Sequence, residues 1–383
     1  MKITAVEAIP LRLPQLDDAR ADGTQDALIV RVHTDEGLVG LGEVDSSPTV
    51  AKAIVDAPPS HAIARGLRSI VLGQDPFDVQ MLWRHMVEGT VYFGRAGAAL
   101  QAIAGVDMAL WDIVGQATGQ PLHRFLGGSY RDRVRVYASA IMPDRPAEAA
   151  RLVESQIANG YTAVKLGWGP LGRVSERLDV ELVRAAREAA GQRDLMIDIG
   201  LAWDAAQAIK MARYFEPFDL YWLEEPLPPD DLDGYARLSN AVNVRIAAGE
   251  QETTYQGFVD LAEKGRVSVL QPDLARAGGL TPAVRIAQYA HDRNIMCVPH
   301  AFSTGILVAA SLHFVAAMPR GQLAEFTVSD SPLARDLLVE PFRLEADGTV
   351  RVPQAPGLGV RLDEEALRRY AQGLVLDLPA RQV

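Results

Sequence analysis

Seven ionisable residues recur along the middle of the chain, most of them about 25 residues apart. In chain order they are Lys165, Asp198, Glu224, Glu250, Asp273, His300 and Glu325. The three successive carboxylates offer the hard oxygen ligands that suit Mg²⁺, and without a cation they would repel one another. In Asp273 and His300, a carboxylate can orient an imidazole and make it more basic. Any one of the seven alone is explained equally well as a helix cap, but together they indicate a metal site beside a general base.

The elements that must position these residues are strands and helices in regular alternation. From Val134 onward, short apolar runs alternate with helical patterns, as in parallel strand–helix units. The predicted strands cover residues 134–141, 161–166, 195–199, 220–224, 244–250, 267–273, 295–300 and 322–327. The predicted helices include residues 146–159, 176–190, 204–215, 254–264 and 280–293. Eight such units form a closed (β/α)8 barrel, whose functional side chains lie at the C-terminal ends of the strands. We therefore expect the seven residues to converge on one mouth.

The N-terminal part of the chain has a different rhythm. Residues 2–13 and 27–34 alternate in polarity, and the strand-like run LVGLGEV follows the turn at 35–37. Apolar positions then take helical spacing over residues 51–126, and a meander followed by helices is typical of one α+β domain. The predicted fold class is α/β, with an α+β domain at 1–130, a barrel at 131–335 and a C-terminal segment at 336–383.

Composition narrows the classes of partner. The chain has 383 residues, with 38 Lys+Arg against 49 Asp+Glu and a net charge of −11. That charge makes nucleic acids and acidic membranes poor partners, whereas a small anionic carboxylate can bind if a local cation receives it. The single cysteine, Cys297, excludes an internal disulfide and a Cys-based zinc site, so we expect a cytoplasmic protein. We expect neither a secretory signal nor a membrane span, because the most apolar later segment, 306–318, is too short.

Six stretches of the sequence carry a family resemblance. They are AIAGVDMALWDIVGQATGQPLHRFLGG, MIDIG, WLEEP, AAGE, QPDLARAGGL and VPHAF. On these stretches the sequence resembles the enolase superfamily, and within it the mandelate racemase subgroup, over essentially the whole chain. Asp273 distinguishes it from the muconate-lactonizing and dipeptide-epimerase subgroups, which have a lysine at that strand.

The resemblance implies a cofactor and a mechanism. One Mg²⁺ per active site would be held by Asp198, Glu224 and Glu250, with Asp273 and His300 as a general base. Enzymes of this superfamily remove a proton next to a carboxylate and stabilise the ene-diolate that forms. The resemblance also implies that the N-terminal domain and the C-terminal segment together cap the barrel mouth, and that the protein is a homo-oligomer.

Two positions depart from the family pattern. Relatives usually have Lys-x-Lys at the end of the second barrel strand, where this chain has Lys165-Leu166-Gly167. They often have Asn two residues after the first metal ligand, where this chain has Gly200. Inversion of a stereocentre generally needs a base on each face of the substrate, whereas His300 alone can remove an α-proton and return it to a departing hydroxyl. The departures favour elimination, and the alternative in which Lys165 is the base stays open.

The expected activity is Mg²⁺-dependent dehydration of a sugar acid, an aldonate or an aldarate, to a 2-keto-3-deoxy acid. The alternative is an epimerase or cycloisomerase that acts on a sugar acid or its lactone through the same half-reaction. Lys165 would hold an anionic oxygen, and Glu325, if protonated, would donate to the substrate carboxylate. Trp168, Trp203 and Ser47 are candidate substrate contacts.

Other positions are expected to act on the site less directly. Arg276 is expected to form a structural ion pair near the metal ligands. Glu225 is expected to support these ligands without binding the metal itself. By family analogy, the loops at 14–27 and 46–49 are candidates for selecting the substrate.

Two rival functions have to be weighed. The run GWGPLG at 167–172 fits the GxGxxG pattern of an NAD(P)-dependent oxidoreductase. Pro170, however, delays the helix that should begin within that motif, and Asp198, the best candidate for the ribose-binding acid, already belongs to the carboxylate series. The other rival is a non-catalytic barrel that binds a sugar acid, and the intact pair of Asp273 and His300 argues against it.

Overall fold

The computed structural model describes residues 1–321 and 323–371. Its N-terminal part is a three-stranded antiparallel sheet made of β1 (Ile3–Arg12), β2 (Asp26–Thr34) and β3 (Val39–Val44), in that order. Five helices follow: α1 (Pro48–Asp56), α2 (Leu67–Val71), α3 (Val79–Gly89), α4 (Ala98–Thr118) and α5 (His123–Leu126). The predicted meander followed by helices is confirmed.

Helix α4 packs directly on β3 because two glycines of the strand have no side chain. A Cβ atom on Gly40 would lie 2.0 Å from the carbonyl oxygen of Ala109, and one on Gly42 would lie 1.9 Å from that of Gly105. By length and composition α4 could cross a membrane, but 83% of its most apolar stretch is buried inside the fold. That degree of burial is typical of a core helix.

Eight parallel strands alternate with helices through the middle of the chain. The strands are β4 (Arg133–Ile141), β5 (Ala163–Gly167), β6 (Asp194–Asp198), β7 (Trp222–Glu224), β8 (Ile246–Ala248), β9 (Val269–Leu270), β10 (Met296–Cys297) and β11 (Ala324–Thr327). The helices are α6 (Pro146–Ala158), α7 (Glu176–Ala190), α8 (Ala205–Phe215), α9 (Leu232–Ala241), α10 (Tyr255–Glu263), α11 (Leu280–Asp292) and α12 (Gly305–Ala316), with a short 3₁₀ helix at Glu216–Phe218. The strands pair in chain order from β4 to β10, and β11 pairs with β4.

This order places the first and last strands side by side, as a barrel requires. Eight buried residues, one from each strand or its flank, pack into a common interior: Tyr137, Ala163, Met196, Trp222, Ala247, Val269, Val298 and Leu323. The backbone N–H of Ala301, in the loop after β10, donates to Glu325 of β11 at 2.8 Å and connects that loop to the last strand. These contacts fit the (β/α)8 barrel that the sequence predicts.

Three strands end two or three residues before their predicted ends, namely those predicted at 244–250, 267–273 and 295–300. Pro272 and Pro299 have no N–H to donate to a ladder, and Gly249 turns the chain with a φ of +136°. The functional residues that follow these strands are therefore on loops at the barrel mouth.

The chain after the barrel returns to the N-terminal domain. It forms α13 (Pro332–Arg335), β12 (Thr349–Arg351) and α14 (Glu364–Ala371). Strand β12 pairs antiparallel with β4, and α14 packs against β1, while its Glu364 forms an ion pair with Arg31 of β2. The end of the predicted C-terminal segment, 372–383, and the first residue of the predicted eighth strand, Gln322, lie outside the described residues.

Candidate active site

Three carboxylates from successive strands meet at the barrel mouth. Asp198 ends β6, Glu224 ends β7, and Glu250 follows β8 by two residues. One oxygen from each lies within 4.8 Å of the others, and all three side chains are buried. The backbone N–H of Gly200 donates to Asp198 at 2.8 Å, and the indole N–H of Trp222 donates to Glu224 at 2.7 Å. These donors orient two of the three predicted metal ligands.

The charge of this group fits a divalent cation. Burial raises the pKa of Asp198 well above its ordinary range, and repulsion from Glu224 raises it further. Burial likewise raises the pKa of Glu224, although Lys165 lowers it. A bound cation would replace this repulsion with attraction, and three hard carboxylate oxygens suit Mg²⁺.

Lys165 lies on β5 beside the carboxylates. Its Nζ contacts Glu224, lies 2.9 Å from Glu325 and is 4.0 Å from Asp198. Burial lowers the pKa of Lys165, but Glu224 and Glu325 raise it more, to well above its ordinary value. In this arrangement Lys165 is a cation, as an electrostatic role for a substrate oxygen requires.

Asp273 and His300 form the predicted pair. Nδ1 of His300 lies 2.6 Å from Asp273, whose other oxygen accepts the backbone N–H of Ala275 at 2.6 Å. Because that carboxylate is the acceptor, Nδ1 carries the proton and Nε2 faces the site, 3.3 Å from Glu250. Burial lowers the pKa of His300, but the surrounding carboxylates, led by Glu250, raise it to about 10. A cation bound at Glu250 would weaken the largest of these effects, and the hydrogen bond to Asp273 directs Nε2 into the site, as a general base requires.

The expectation that a protonated Glu325 donates to the substrate needs correction. Both of its oxygens face donors: Lys165 at 2.9 Å and the backbone N–H of Ala301 at 2.8 Å. Burial raises the pKa of Glu325, but Lys165 and His300 lower it more, to about 2. In this arrangement Glu325 is ionised and accepts hydrogen bonds.

A second group of ionisable side chains, Asp45, Asp273 and His300, lies equally close together. Here the guanidinium of Arg276 supplies the positive charge, at 2.8 Å from Asp45 and 3.9 Å from Asp273. Arg276 also lies 3.6 Å from Glu250. It therefore forms the expected ion pair near the ligands, and it connects them to Asp45, which follows β3 of the N-terminal domain.

Glu43 is a buried residue that sequence reasoning missed. This carboxylate of β3 accepts the hydroxyl of Ser303 at 2.6 Å, the hydroxyl and N–H of Thr304 at 2.7 and 3.1 Å, and the N–H of Leu307 at 2.8 Å. These donors belong to the loop after His300 and to the first turn of α12. An acidic residue inside the apolar run LVGLGEV is the signal that could have found it.

Glu225 makes a contact of the supporting kind expected for it. The backbone N–H of Gly249, next to Glu250, donates to its side chain at 3.2 Å. Burial and repulsion from Glu250 raise the pKa of Glu225 to about 8.

The mouth opens into a cavity of about 370 Å³. Its lining from the N-terminal domain comprises Ala21, Asp22, Gly23, Asp45, Ser46 and Gln101. Trp168 lines the cavity from the barrel, as predicted.

Two predicted substrate contacts need correction. Trp203 is only 4% exposed and packs against Phe215, so it belongs to the core. Ser47 is an exposed residue at the start of α1, and its neighbour Ser46 lines the cavity instead.

The geometry does not fit the dinucleotide motif. After Gly172 the chain continues as a loop, and α7 begins only at Glu176, capped by Ser175. A phosphate on this loop would lack the helix N-terminus on which such folds depend. Cys297 is only partly exposed, and desolvation of its thiol raises its pKa to about 12, which disfavours the nucleophilic thiolate.

Comparisons with known proteins agree with this geometry. Residues 2–127 match the mandelate racemase / muconate lactonizing enzyme N-terminal domain, and residues 148–366 match the enolase C-terminal domain-like family. The chain is 33% identical to D-galactarolactone cycloisomerase of Agrobacterium fabrum, covering 90% of each protein. It is 33% identical to L-rhamnonate dehydratase of Saccharopolyspora erythraea, covering 89% of this chain and 85% of the relative.

A solved structure extends the likeness to the metal. A racemase from Streptomyces coelicolor, whose crystal structure was solved with bound magnesium, is 31% identical in sequence to this chain. It superposes with a TM-score of 0.85 over 96% of this chain and 99% of the other. The chain therefore belongs to the mandelate racemase subgroup of the enolase superfamily.

Proposed function

We propose that the protein uses Mg²⁺ to remove the proton α to the carboxylate of a sugar acid and dehydrates it to a 2-keto-3-deoxy acid. The observation that carries the proposal is the hydrogen-bonded pair of Asp273 and His300 facing three clustered carboxylates. Gly167 occupies the position of a second lysine, so a base on the opposite face is missing from that strand. The resemblance to a dehydratase over most of the chain supports elimination.

The proposed reaction needs stabilisation of a dianion. A substrate carboxylate would bind beside Lys165 and the ligands Asp198, Glu224 and Glu250, where the positive charge of Lys165 offsets the charge that develops. Bound Mg²⁺ supplies Lewis-acid stabilisation of the same charge. Glu325 holds Lys165 in place through their ion pair.

His300 carries the proton in both halves of the reaction. Its Nε2 takes the α-proton while Asp273 holds Nδ1–H, and the electron pair of the C–H bond enters the ene-diolate. The ene-diolate then forms the C=C bond of an enol as the β-hydroxyl leaves as water with the proton from Nε2. Ketonisation of the enol gives the 2-keto-3-deoxy acid.

A cycloisomerase acting on a sugar-acid lactone is the second candidate. The relative named D-galactarolactone cycloisomerase matches this chain at the same identity as the dehydratase and over a similar share of its length. Both candidates begin with removal of an α-proton, so the same pair of Asp273 and His300 serves either.

A panel of aldonates, aldarates and their lactones in D₂O with Mg²⁺ separates the candidates. Ketone formation from an open-chain acid supports dehydration, and consumption of lactones alone supports the cycloisomerase. Absence of both reactions across the panel would refute the proposal. Glu224→Gln should abolish turnover without unfolding the protein, and full activity in this variant would refute the metal assignment. Monitoring NAD(P)H absorbance in the same assays tests the oxidoreductase directly.

A further inference from the structure

We propose that the indole of Trp168, positioned by Gly167, Gly200 and Arg173, forms a flat apolar wall across the pocket from His300 and selects substrates by stacking. This inference rests on the proposed function, because it concerns the same substrate and the same cavity. Trp168 follows the second barrel strand and His300 follows the seventh, so the two residues approach the cavity from different sides of the strand ring.

Gly167 leaves no room for a side chain at the position of a second base. It is the register partner of Asp198, and a Cβ atom on it would lie 2.5 Å from the Cβ of Asp198 and 2.9 Å from its Oδ2. Any larger residue here would displace a predicted metal ligand. The side chain of Asp198, as it lies here, therefore occupies the space that a longer residue at position 167 would need.

Gly200 provides the space that the indole occupies. It has a φ of +58°, and a Cβ atom on it would lie 2.6 to 2.9 Å from three carbon atoms of the Trp168 ring. The position where relatives have a polar asparagine is thus covered by an aromatic ring. An asparagine at position 200 would be incompatible with Trp168 in this orientation.

Arg173 contacts both the indole of Trp168 and the backbone of Gly200. Its guanidinium lies 5.3 Å from the centre of the indole, and it donates to the carbonyl of Gly200 at 2.6 Å and to that of Leu171 at 2.8 Å. Trp168 itself has a φ of +57°, which is unfavourable for a bulky residue, and its backbone N–H donates to the carbonyl of Asp198 at 3.0 Å. A strained residue held by this many contacts and lining a cavity indicates a functional role.

The wall has two chemical consequences. The negative face of an indole attracts polarised C–H bonds, so it suits the C–H face of a polyhydroxy acid chain rather than its hydroxyl groups. It also excludes water from the side of the substrate away from His300, where position 167 has no second lysine. The chemical class selected is a sugar acid whose carbon chain presents one C–H-rich face.

The first test compares Trp168→Ala, Trp168→Phe and the control Tyr214→Ala, which removes an exposed aromatic ring outside the cavity. Trp168→Ala should raise KM for the sugar acid about 5- to 10-fold and leave kcat within about threefold, because stacking binds substrate and transition state alike. Trp168→Phe should recover most of the loss. The wall is overturned if Trp168→Ala matches Tyr214→Ala in KM.

A second test does not depend on turnover. Gly200→Ala should displace the indole and change the intrinsic fluorescence, and the change should vanish when Gly200→Ala is made in the Trp168→Phe background. Unchanged fluorescence would overturn the predicted seating of the ring. If the wild-type protein processes no sugar acid while the fluorescence result holds, the proposed function fails and the seating stands.

Discussion

At the scale of single residues, the site depends on what is absent from position 167 as much as on the charged side chains. Gly167 touches Asp198 so closely that one added methyl group must move a metal ligand. We expect Gly167→Ala to weaken Mg²⁺ binding by about 10- to 100-fold, the range found when the surroundings of a ligand are disturbed. Calorimetric titration with Mg²⁺ measures this directly.

Gly191→Ala is a suitable control for that measurement. Gly191 has a positive φ of +61°, which Gly167 does not, but a Cβ atom on it meets no neighbour within 4 Å, and it precedes β6, at the other end of that strand from Asp198. It controls for the backbone cost of replacing a glycine. Equal Mg²⁺ affinity in the two variants would contradict the account of Gly167.

At the scale of elements, Glu43 joins β3 to the loop that carries His300. Its four hydrogen bonds fix the start of α12, so Glu43→Gln should destabilise the fold by about 1.5 to 3 kcal/mol, the usual contribution of a hydrogen bond to a charged group. It should also lower kcat more than it raises KM, because the loop positions the base. Denaturant unfolding and steady-state kinetics check the two effects.

The exposed carboxylate of Glu340, which pairs with Arg361 at the surface, provides the comparison. Glu340→Gln should change stability by less than about 0.5 kcal/mol. If Glu43→Gln behaves in the same way, Glu43 does not position the loop. Restoration of kcat by Glu43→Asp would show that the charge, not only the length of the side chain, is needed.

The elements also show what could be predicted from sequence. The order of strands, the place of Lys165 on its strand and the strand-end positions of Asp198 and Glu224 follow from apolar periodicity, which is a local property. The shortening of later strands depends on Pro272 and Pro299, whose effect on a ladder is visible only once the pairing partners are known. Glu250 and His300 therefore lie at the predicted mouth, but on loops.

Contacts between distant segments could not be predicted from local sequence patterns. The bridge from Asp45 through Arg276 to the metal ligands joins residues more than 200 positions apart, and periodicity carries no information about it. Trp203 shows a related limit. Nothing in the sequence distinguishes a tryptophan that packs beside Phe215 in the core from one that lines the pocket. Ionisation of Glu325 likewise depends on Lys165, which approaches from another strand.

At the scale of the whole molecule, His313 makes stability depend on pH. This histidine of α12 is buried between His123 and the carbonyl of Leu358, and burial lowers its pKa to about 3. In the unfolded chain the imidazole takes up a proton below its ordinary pKa of 6.5, whereas in the folded protein it stays neutral down to about pH 3. Stability should therefore fall as the pH is lowered from about 6.5 towards 3, by up to about 1.4 kcal/mol per pH unit from this group.

Urea unfolding of the wild type and His313→Gln at pH 7 and pH 5 checks this dependence. The variant should be less stable at pH 7, because a packed ring is lost, but its stability should fall less on acidification. Parallel losses in the two proteins would show that His313 is not responsible.

The central claim is that His300 removes the α-proton with the help of Mg²⁺. The measurement that tests it most directly is the rate at which the α-proton signal of an accepted sugar acid disappears in D₂O, followed by NMR for the wild type and His300→Asn. We predict loss of the signal with Mg²⁺ and none after chelation, and a rate about 10²- to 10⁴-fold lower in His300→Asn at unchanged Mg²⁺ affinity. An undiminished rate in His300→Asn would contradict the account and assign the base role to Lys165.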